Sequence, residues 1–168
     1  MNNLILIGMP GAGKSTVGVI LAKVLGYSFI DSDLLIQEQE KSLLKDIIAN
    51  KGLDKFIEIE NQINSEIKAE KTVIATGGSV IYGKEAMEHL SNIGTVIYIQ
   101  LSLETLETRL GNMKQRGVAF KPGQNLKSLY VERCPLYEKH GDIIINGDNK
   151  TVEEVLDSMI RAITPFIN

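Results

Sequence analysis

The sequence predicts an α/β fold in which helices cover both faces of a five-stranded parallel sheet, a doubly wound arrangement. Short apolar runs recur along the chain and alternate with segments of helical periodicity. These runs are continuous, which is typical of strands that are buried on both faces. A glycine-rich loop also joins the first run to the first helical segment. In such a sheet the functional site lies at the carboxyl ends of the strands.

The predicted elements follow in order along the chain. Strands are predicted at residues 4–7, 27–30, 72–75, 95–101 and 142–145. Helices are predicted at residues 14–25, 33–49, 53–69, 84–91, 103–112, 125–138 and 152–163. Thr151 and Glu154 have the spacing of a capping box at the start of the last helix. Pro135 is expected to disturb the helix over 125–138, with Arg133 one turn from that helix's end.

The chain length predicts a single domain over residues 1–168. Two segments do not fit a plain alternation of strands and helices. Residues 33–70 form a long helical insertion that is polar enough to cap the site. Residues 112–124 form a loop interrupted by Gly117, Pro122 and Gly123. A loop of that length inside a compact domain is typical of a mobile lid.

Composition excludes several classes of protein. A net charge of −3 offers no broad cationic surface for nucleic acid. No apolar stretch has the length of a membrane span, and the first strand begins too early for a signal peptide. The single cysteine, Cys134, cannot form an internal disulfide, which fits a reducing compartment. We therefore expect a cytoplasmic monomer without nucleic-acid or membrane partners.

Residues 8–16 read G-M-P-G-A-G-K-S-T and contain the complete pattern G-x-x-x-x-G-K-S. Glycines at 8, 11 and 13 let the backbone N–H groups turn inward around phosphate oxygens. Lys14 can then reach the β- and γ-phosphates, and the Ser15 hydroxyl can ligate Mg²⁺. The helix that follows points the positive end of its dipole at the same anion. The loop therefore indicates a binding site for a nucleoside triphosphate.

Polar residues follow the second and third predicted strands. Asp31 and Asp33 come after the second strand, where one carboxylate can hold Mg²⁺ and the other can orient an acceptor hydroxyl and accept its proton. The alternative is that these residues only cap the next helix. Gly77 and Gly78 follow the third strand and can bring backbone N–H groups close to a ligand, or simply form a turn.

Arginine is scarce and clustered. Three of the four arginines, Arg109, Arg116 and Arg133, fall within residues 109–133, and the fourth is Arg161. A guanidinium presents a planar fork of donors that suits phosphate and carboxylate oxygens. The cluster favours a phosphate-clamping lid over the alternative, a solvated helical face.

Taken in order, the motifs resemble those of shikimate kinases. They are G-M-P-G-A-G-K-S-T, D-S-D, F-I-E-I-E, A-T-G-G-S, T-R-L and R-C-P-L-Y, and they span nearly the whole chain. The resemblance implies a P-loop kinase of the nucleoside-monophosphate-kinase type, with a substrate-binding helical region at 33–70 and a lid at 112–124. It implies transfer of the γ-phosphoryl group of ATP to the 3-hydroxyl of shikimate, a precursor of the aromatic amino acids.

The resemblance also implies the roles of individual residues. The implied catalytic residues are Lys14, Asp33 and Arg116. The implied ATP-binding residues are Gly11, Ala12, Gly13, Lys14, Ser15, Thr16, Arg109 and Arg116, with Arg109 against the adenine. The implied substrate-binding residues are Asp33, Gly77, Gly78 and Arg133, with Arg133 on the carboxylate. The implied Mg²⁺ ligands are Ser15 and, through water, Asp31.

The sequence departs from the family pattern on the acceptor side. Ile57 stands where the family has an arginine that grips the substrate carboxylate, and the loss of one charge-assisted contact costs roughly 1.5–3 kcal/mol. Ser79 stands in place of a third glycine, and the lid sequence differs from the usual type. These departures leave open a kinase for another small hydroxyl compound. A nucleotide-binding module without catalysis stays open as well, and so does a nucleoside monophosphate kinase, for which more arginines are expected.

Overall fold

The computed structural model describes residues 3–110 and 121–167. Five strands of the described chain form one parallel sheet in the order β2-β3-β1-β4-β5. Their bounds are β1 Asn3–Ile7, β2 Ser28–Asp31, β3 Thr72–Ala75, β4 Gly94–Gln100 and β5 Ile143–Asn146. Leu4 of β1 pairs with Val73 of β3 on one side and with Thr95 of β4 on the other. The predicted five-stranded parallel sheet is confirmed.

Helices flank this sheet. Their bounds are α1 Lys14–Leu25, α2 Ser32–Glu40, α3 Leu44–Lys51, α4 Leu53–Ser65, α5 Lys84–Ile93, α6 Leu103–Arg109, α7 Leu126–His140 and α8 Val152–Ile167. A 3₁₀ turn covers Val80–Tyr82. Helices α1 and α8 pack together, whereas α5 and α7 pack against β4. Within the described ranges no helix is both long and apolar enough to cross a membrane.

The strand order places a crevice above the centre of the sheet. The chain leaves β1 toward β2 on one side, and it leaves β3 toward β4 on the other side. The loops that follow β1 and β3 therefore diverge, and ligands bind in such a crevice at the carboxyl ends of the strands. Thr76 fastens the loop after β3 to β1, because its hydroxyl donates to the Leu6 carbonyl at 2.7 Å.

Several helix boundaries differ from the prediction. The helix predicted over 33–49 is two helices, because Lys41 adopts a left-handed conformation (φ 52°) that ends α2. The helix predicted over 53–69 ends at Ser65, and the one predicted over 103–112 ends at Arg109. The capping box of Thr151 and Glu154 is present, with both backbone N–H groups donating to side-chain oxygens at 3.2 Å.

The predicted disturbance at Pro135 is wrong. Helix α7 continues through Pro135 to His140, so Arg133 lies in the middle of a helix rather than one turn from its end. Proline removes the N–H that would donate to the Val131 carbonyl, and its ring crowds that carbonyl. Val131 is 65% exposed, so this turn lies on the solvent side of α7, where a lost hydrogen bond costs less than it would in the core.

The described chain has two hydrophobic clusters. The larger one surrounds the sheet, and every residue of β1 is buried. The smaller one lies among α2, α3 and α4 and comprises Ile36, Leu44, Ile47, Phe56, Ile59 and Ile63. Helices α2, α3 and α4 thus pack around a hydrophobic cluster of their own. This packing positions the polar residues Asp33 and Glu60 beside the crevice.

Candidate active site

The loop between β1 and α1 has the backbone geometry that its glycines predict. Gly8, Gly11 and Gly13 have φ values of 150°, 81° and 89°. Residues that carry a Cβ rarely adopt such values. A Cβ on Gly8 would also lie 2.8 Å from the carbonyl oxygen of Ile99. Helix α1 begins at Lys14 with no side-chain cap. Its first N–H groups are therefore available to an anion.

Lys14 is held inside this loop. Its Nζ donates to the carbonyl oxygens of Gly8 at 2.7 Å and of Met9 at 2.8 Å. Burial lowers the pKa of Lys14 from 10.5 to about 8, with Asp33 opposing that shift. The ammonium is therefore mostly charged at neutral pH and is already directed at the centre of the loop.

Ser15 and Asp31 lie together, as the metal prediction requires. The Ser15 hydroxyl donates to Oδ2 of Asp31 at 2.7 Å. Oδ1 of Asp31 accepts from the backbone N–H of Asp33 at 3.0 Å, so Asp31 also caps α2. A hydroxyl and a carboxylate are the hard oxygen ligands that Mg²⁺ prefers, and Mg²⁺ in kinases takes its other ligands from phosphate and water. These residues fit a magnesium ion that accompanies a nucleotide.

A cavity of about 520 Å³ opens beside the loop and joins the predicted residues. Its walls contain Gly11, Gly13, Lys14, Ser15 and Thr16 from the loop, Asp33 from α2, Gly77 and Gly78 after β3, Arg109 from α6 and Arg133 from α7. Its volume falls within the range of small-molecule sites. The structure thus brings the phosphate loop and the predicted acceptor residues into one space.

Asp33 faces this cavity from the first turn of α2. Burial raises its pKa from 3.8 to about 6, and the neighbouring Asp31 raises it further while Lys14 opposes the shift. A carboxylate with that pKa is ionised at neutral pH and is a stronger proton acceptor than a solvated aspartate. Asp33 therefore has the location and the basicity expected of a group that orients an acceptor hydroxyl.

Arg133 is the most deeply buried cation of the described chain, at 1% exposure. Its guanidinium lies over the ring of Tyr82 at 5.3 Å, and its Nε donates to the Tyr82 hydroxyl at 3.4 Å. The same hydroxyl donates to Glu132 at 2.6 Å. A guanidinium on a cavity wall has the fork of donors that suits a carboxylate.

The two glycines after β3 lie so close to neighbouring side chains that a Cβ would not fit at either position. A Cβ on Gly77 would lie 2.7 Å from Oδ1 of Asp33, and one on Gly78 would lie 2.9 Å from Nη1 of Arg133. The Gly78 carbonyl accepts from the buried Tyr137 hydroxyl at 2.6 Å, which fixes this segment against α7. The missing side chains leave space between the carboxylate and the guanidinium.

Glu60 is a buried site residue that the sequence motifs alone did not predict. It is 1% exposed, lines the cavity and accepts a hydrogen bond from the Ser79 hydroxyl at 2.5 Å. Burial raises its pKa from 4.5 to about 7. The signal was present in F-I-E-I-E, because Glu60 shares a helical face with Phe56 and Ile63, which are both buried.

Ile57 is not among the residues that line the cavity. It is half-buried and packs against the small hydrophobic cluster of the helical region. Lys55, which precedes Phe56, is exposed and pairs with Glu58 at 3.4 Å. Neither residue supplies a cation to the cavity.

Arg109 lies at the other end of the phosphate loop. Its Nη1 donates to the Gly11 carbonyl at 3.4 Å, and the residue lines both the main cavity and a second cavity of about 170 Å³. The second cavity is lined by Ala12, Gly13, Thr16, Val17, Ile99, Leu101, Arg109, Gly147, Lys150, Val152 and Val155. Arg116 and most of the predicted lid at 112–124 lie outside the described residues.

Comparisons with known proteins agree with this geometry. The family model of shikimate kinase matches residues 10–164. A shikimate kinase from Sulfurihydrogenibium sp. is 37% identical over 164 residues, which cover 97% of this chain and 98% of the relative. A shikimate kinase from Clostridium botulinum (strain Okra) is 39% identical over 172 residues, with 96% of each chain covered.

Solved structures give the same result. A shikimate kinase from Acinetobacter baumannii in complex with shikimate has a TM-score of 0.87 and 29% identity, covering 98% of this chain and 94% of the other. The shikimate kinase of Aquifex aeolicus has a TM-score of 0.80 and 30% identity, with 99% of each chain covered. The chain belongs to the shikimate kinase family, whose members are ATP-dependent small-molecule kinases.

Proposed function

We propose that this protein transfers the γ-phosphoryl group of ATP to the 3-hydroxyl of shikimate. The observation that carries the proposal is that Asp33 and the buried Arg133 both line the cavity that the phosphate loop also lines. A carboxylate that binds hydroxyl groups and a guanidinium that binds a carboxylate suit a hydroxylated carboxylic acid. Family membership supports the same substrate.

The protein's own groups would act by positioning and by electrostatics, because phosphoryl transfer needs little covalent chemistry from the enzyme. Backbone N–H groups at the start of α1 and the Lys14 ammonium would stabilise charge on the transferred group. Asp33 would orient the acceptor hydroxyl and accept its proton. Arg116 would complete the charge stabilisation from the lid, whose proposed extent is 112–124.

The remaining roles belong to the same proposal. Gly77, Gly78 and Arg133 would bind the acceptor, within a substrate-binding region that includes residues 33–70. Thr16 and Arg109 would contact the nucleotide beside the second cavity. Ser15 and, through water, Asp31 would hold Mg²⁺, which when bound neutralises phosphate charge and orients the γ-phosphoryl group. We also propose that the protein works as a cytoplasmic monomer that comprises a single domain.

Because position 57 is isoleucine, which cannot bind a carboxylate, acceptors other than shikimate should also be tested. An ADP-release assay with Mg-ATP should compare shikimate, quinate, gluconate, homoserine and no acceptor. Saturable release with shikimate alone is the expected result. Release only with another acceptor would replace shikimate in the proposal, and release that no acceptor stimulates would contradict kinase activity.

A further inference from the structure

Ser79 and Glu60 form a buried pair at the acceptor end of the cavity. The Ser79 hydroxyl donates to Oε1 of Glu60 at 2.5 Å, and the two residues are 4% and 1% exposed. Oε2 of Glu60 has no hydrogen-bond partner in the described part of the chain. A buried carboxyl oxygen without a partner is costly, so Oε2 points to a ligand that completes its hydrogen bonding.

The position of Gly77 shows where Oε2 is directed. A Cβ on Gly77 would lie 2.7 Å from Oε2 of Glu60 and 2.7 Å from Oδ1 of Asp33. The absence of that side chain therefore opens one space to both carboxyl groups. All three residues line the main cavity, so Oε2 lies beside the carboxyl group proposed to orient the acceptor hydroxyl.

Helix α4 provides no cation to Glu60 from position 57. Ile57 precedes Glu60 by three residues on α4, a spacing at which a charged side chain would reach Glu60. Isoleucine has no hydrogen-bond donor on its side chain. The Ser79 hydroxyl is thus the side-chain donor that the described structure gives to Glu60.

We propose that Ser79 is a positioning residue for the acceptor: it holds Oε1 of Glu60 so that Oε2 stays turned into the cavity and binds an acceptor hydroxyl next to Asp33. Ser79 acts through Glu60 and need not touch the acceptor itself. The inference deepens the proposed function and rests on it.

The charge state of Glu60 provides a readout specific to this role. Burial raises its pKa to about 7, the Ser79 hydrogen bond lowers it, Asp33 of α2 raises it, and Arg133 of α7 and Lys14 of α1 lower it. Ionised Glu60 adds a second negative charge beside Asp33 and repels an anionic acceptor. The KM for shikimate should therefore rise above about pH 7. Loss of the Ser79 hydroxyl should move that rise to higher pH.

The test uses Ser79→Ala, Glu60→Gln and the double variant, with Ser91→Ala, an exposed serine on α5, as the matched control. At about pH 6, where Glu60 is protonated with or without Ser79, Ser79→Ala should raise the KM for shikimate about tenfold. The kcat and the KM for ATP should change by less than about threefold. In the Glu60→Gln background the pH-dependent rise should be absent, and Ser79→Ala should add less than about threefold to KM.

Three results would overturn the inference: an unchanged KM in Ser79→Ala, independent multiplication of the two single effects in the double variant, or a pH-dependent rise that stays in place without Ser79. Melting temperatures identify a variant that has lost its fold, and Ser79→Gly then serves as a second hydroxyl-free variant. Ser79→Thr, which keeps the hydroxyl, should retain the parent's pH profile. A parent enzyme inactive with shikimate would sink the proposed function as well, whereas an active parent with a normal Ser79→Ala variant sinks the inference alone.

Discussion

The two ends of the cavity are built from different parts of the chain. The phosphate end consists mainly of backbone from one short segment, with Gly8, Gly11 and Gly13 in conformations that point N–H groups inward. The acceptor end consists of buried side chains on separate helices, chiefly Asp33 on α2, Glu60 on α4 and Arg133 on α7. A site made of local backbone tolerates little change in its sequence. A site assembled from distant side chains depends on how the helices pack, as the hydrogen bond from Ser79 to Glu60 shows.

The electrostatics of the two ends differ in the same way. Lys14 keeps most of its charge despite burial, because its pKa of about 8 lies above neutral pH. The acceptor end instead holds two carboxyl groups whose pKa values burial raises to about 6 and about 7. A fixed positive charge suits the binding of phosphate. Carboxyl groups whose pKa values lie near 7 suit the binding of hydroxyl groups and the acceptance of a proton.

Removal of the phosphate-end cation should have the largest effect. We expect Lys14→Met to lower kcat about 1000-fold, because a buried charge aimed at the transferred group stabilises the transition state. Steady-state kinetics with Mg-ATP and shikimate would measure it. Lys23→Met, an exposed lysine in the last turn of the same helix, is the control and should stay near parent activity. A similar loss of kcat in both variants would show that the substitutions disrupt helix α1, and that the Lys14 charge itself is not the cause.

The raised pKa of Glu60 predicts a pH-dependent stability. Between pH 4.5 and about 7 the folded state binds more protons than the unfolded state, so the free energy of unfolding falls as the pH rises and levels off above that range. Glu60→Gln cannot titrate and should lack this decline. The free energy of unfolding of the variant, relative to that of the parent, should therefore rise by roughly 3 kcal/mol from acid to mildly alkaline pH. Urea denaturation across this range would measure it. Glu58→Gln, an exposed neighbour on α4, should follow the parent, and a parallel curve for Glu60→Gln would show that Glu60 titrates normally.

Asp33→Asn tests whether the acceptor end takes part in the chemistry. We expect kcat to fall about 100-fold, because asparagine keeps the size and shape of the side chain but cannot accept the hydroxyl proton. Affinity for Mg-ADP, measured by calorimetry, should change by less than about twofold. Asp46→Asn on the exposed face of α3 is the matched control. Unchanged turnover in Asp33→Asn would remove this carboxylate from the mechanism.

The sequence predicted the phosphate end better than the acceptor end for a physical reason. Gly8 to Ser15 form a continuous motif, so spacing alone predicts their backbone geometry. The partner of Glu60, by contrast, is set by the packing of α4 against the segment after β3, and no local pattern shows that Ser79 is near it. Pro135 also shows the limit of local propensity, since α7 continues past a residue that the sequence predicted to disturb it.

A cation introduced at position 57 tests the difference between the two ends directly. Ile57→Arg adds a cation one helical turn before Glu60 on α4, where its aliphatic part can cover the small hydrophobic cluster that Ile57 now contacts. We expect the KM for shikimate to fall about tenfold, since one charge-assisted hydrogen bond is gained while its ordering has a cost. The KM for ATP should stay constant, and Ile57→Leu should resemble the parent. A gain confined to another acceptor would show that the pocket is not of shikimate type. In the Ile57→Arg background, Ser79→Ala should lose most of its effect, because a second donor then lies three residues from Glu60 on α4.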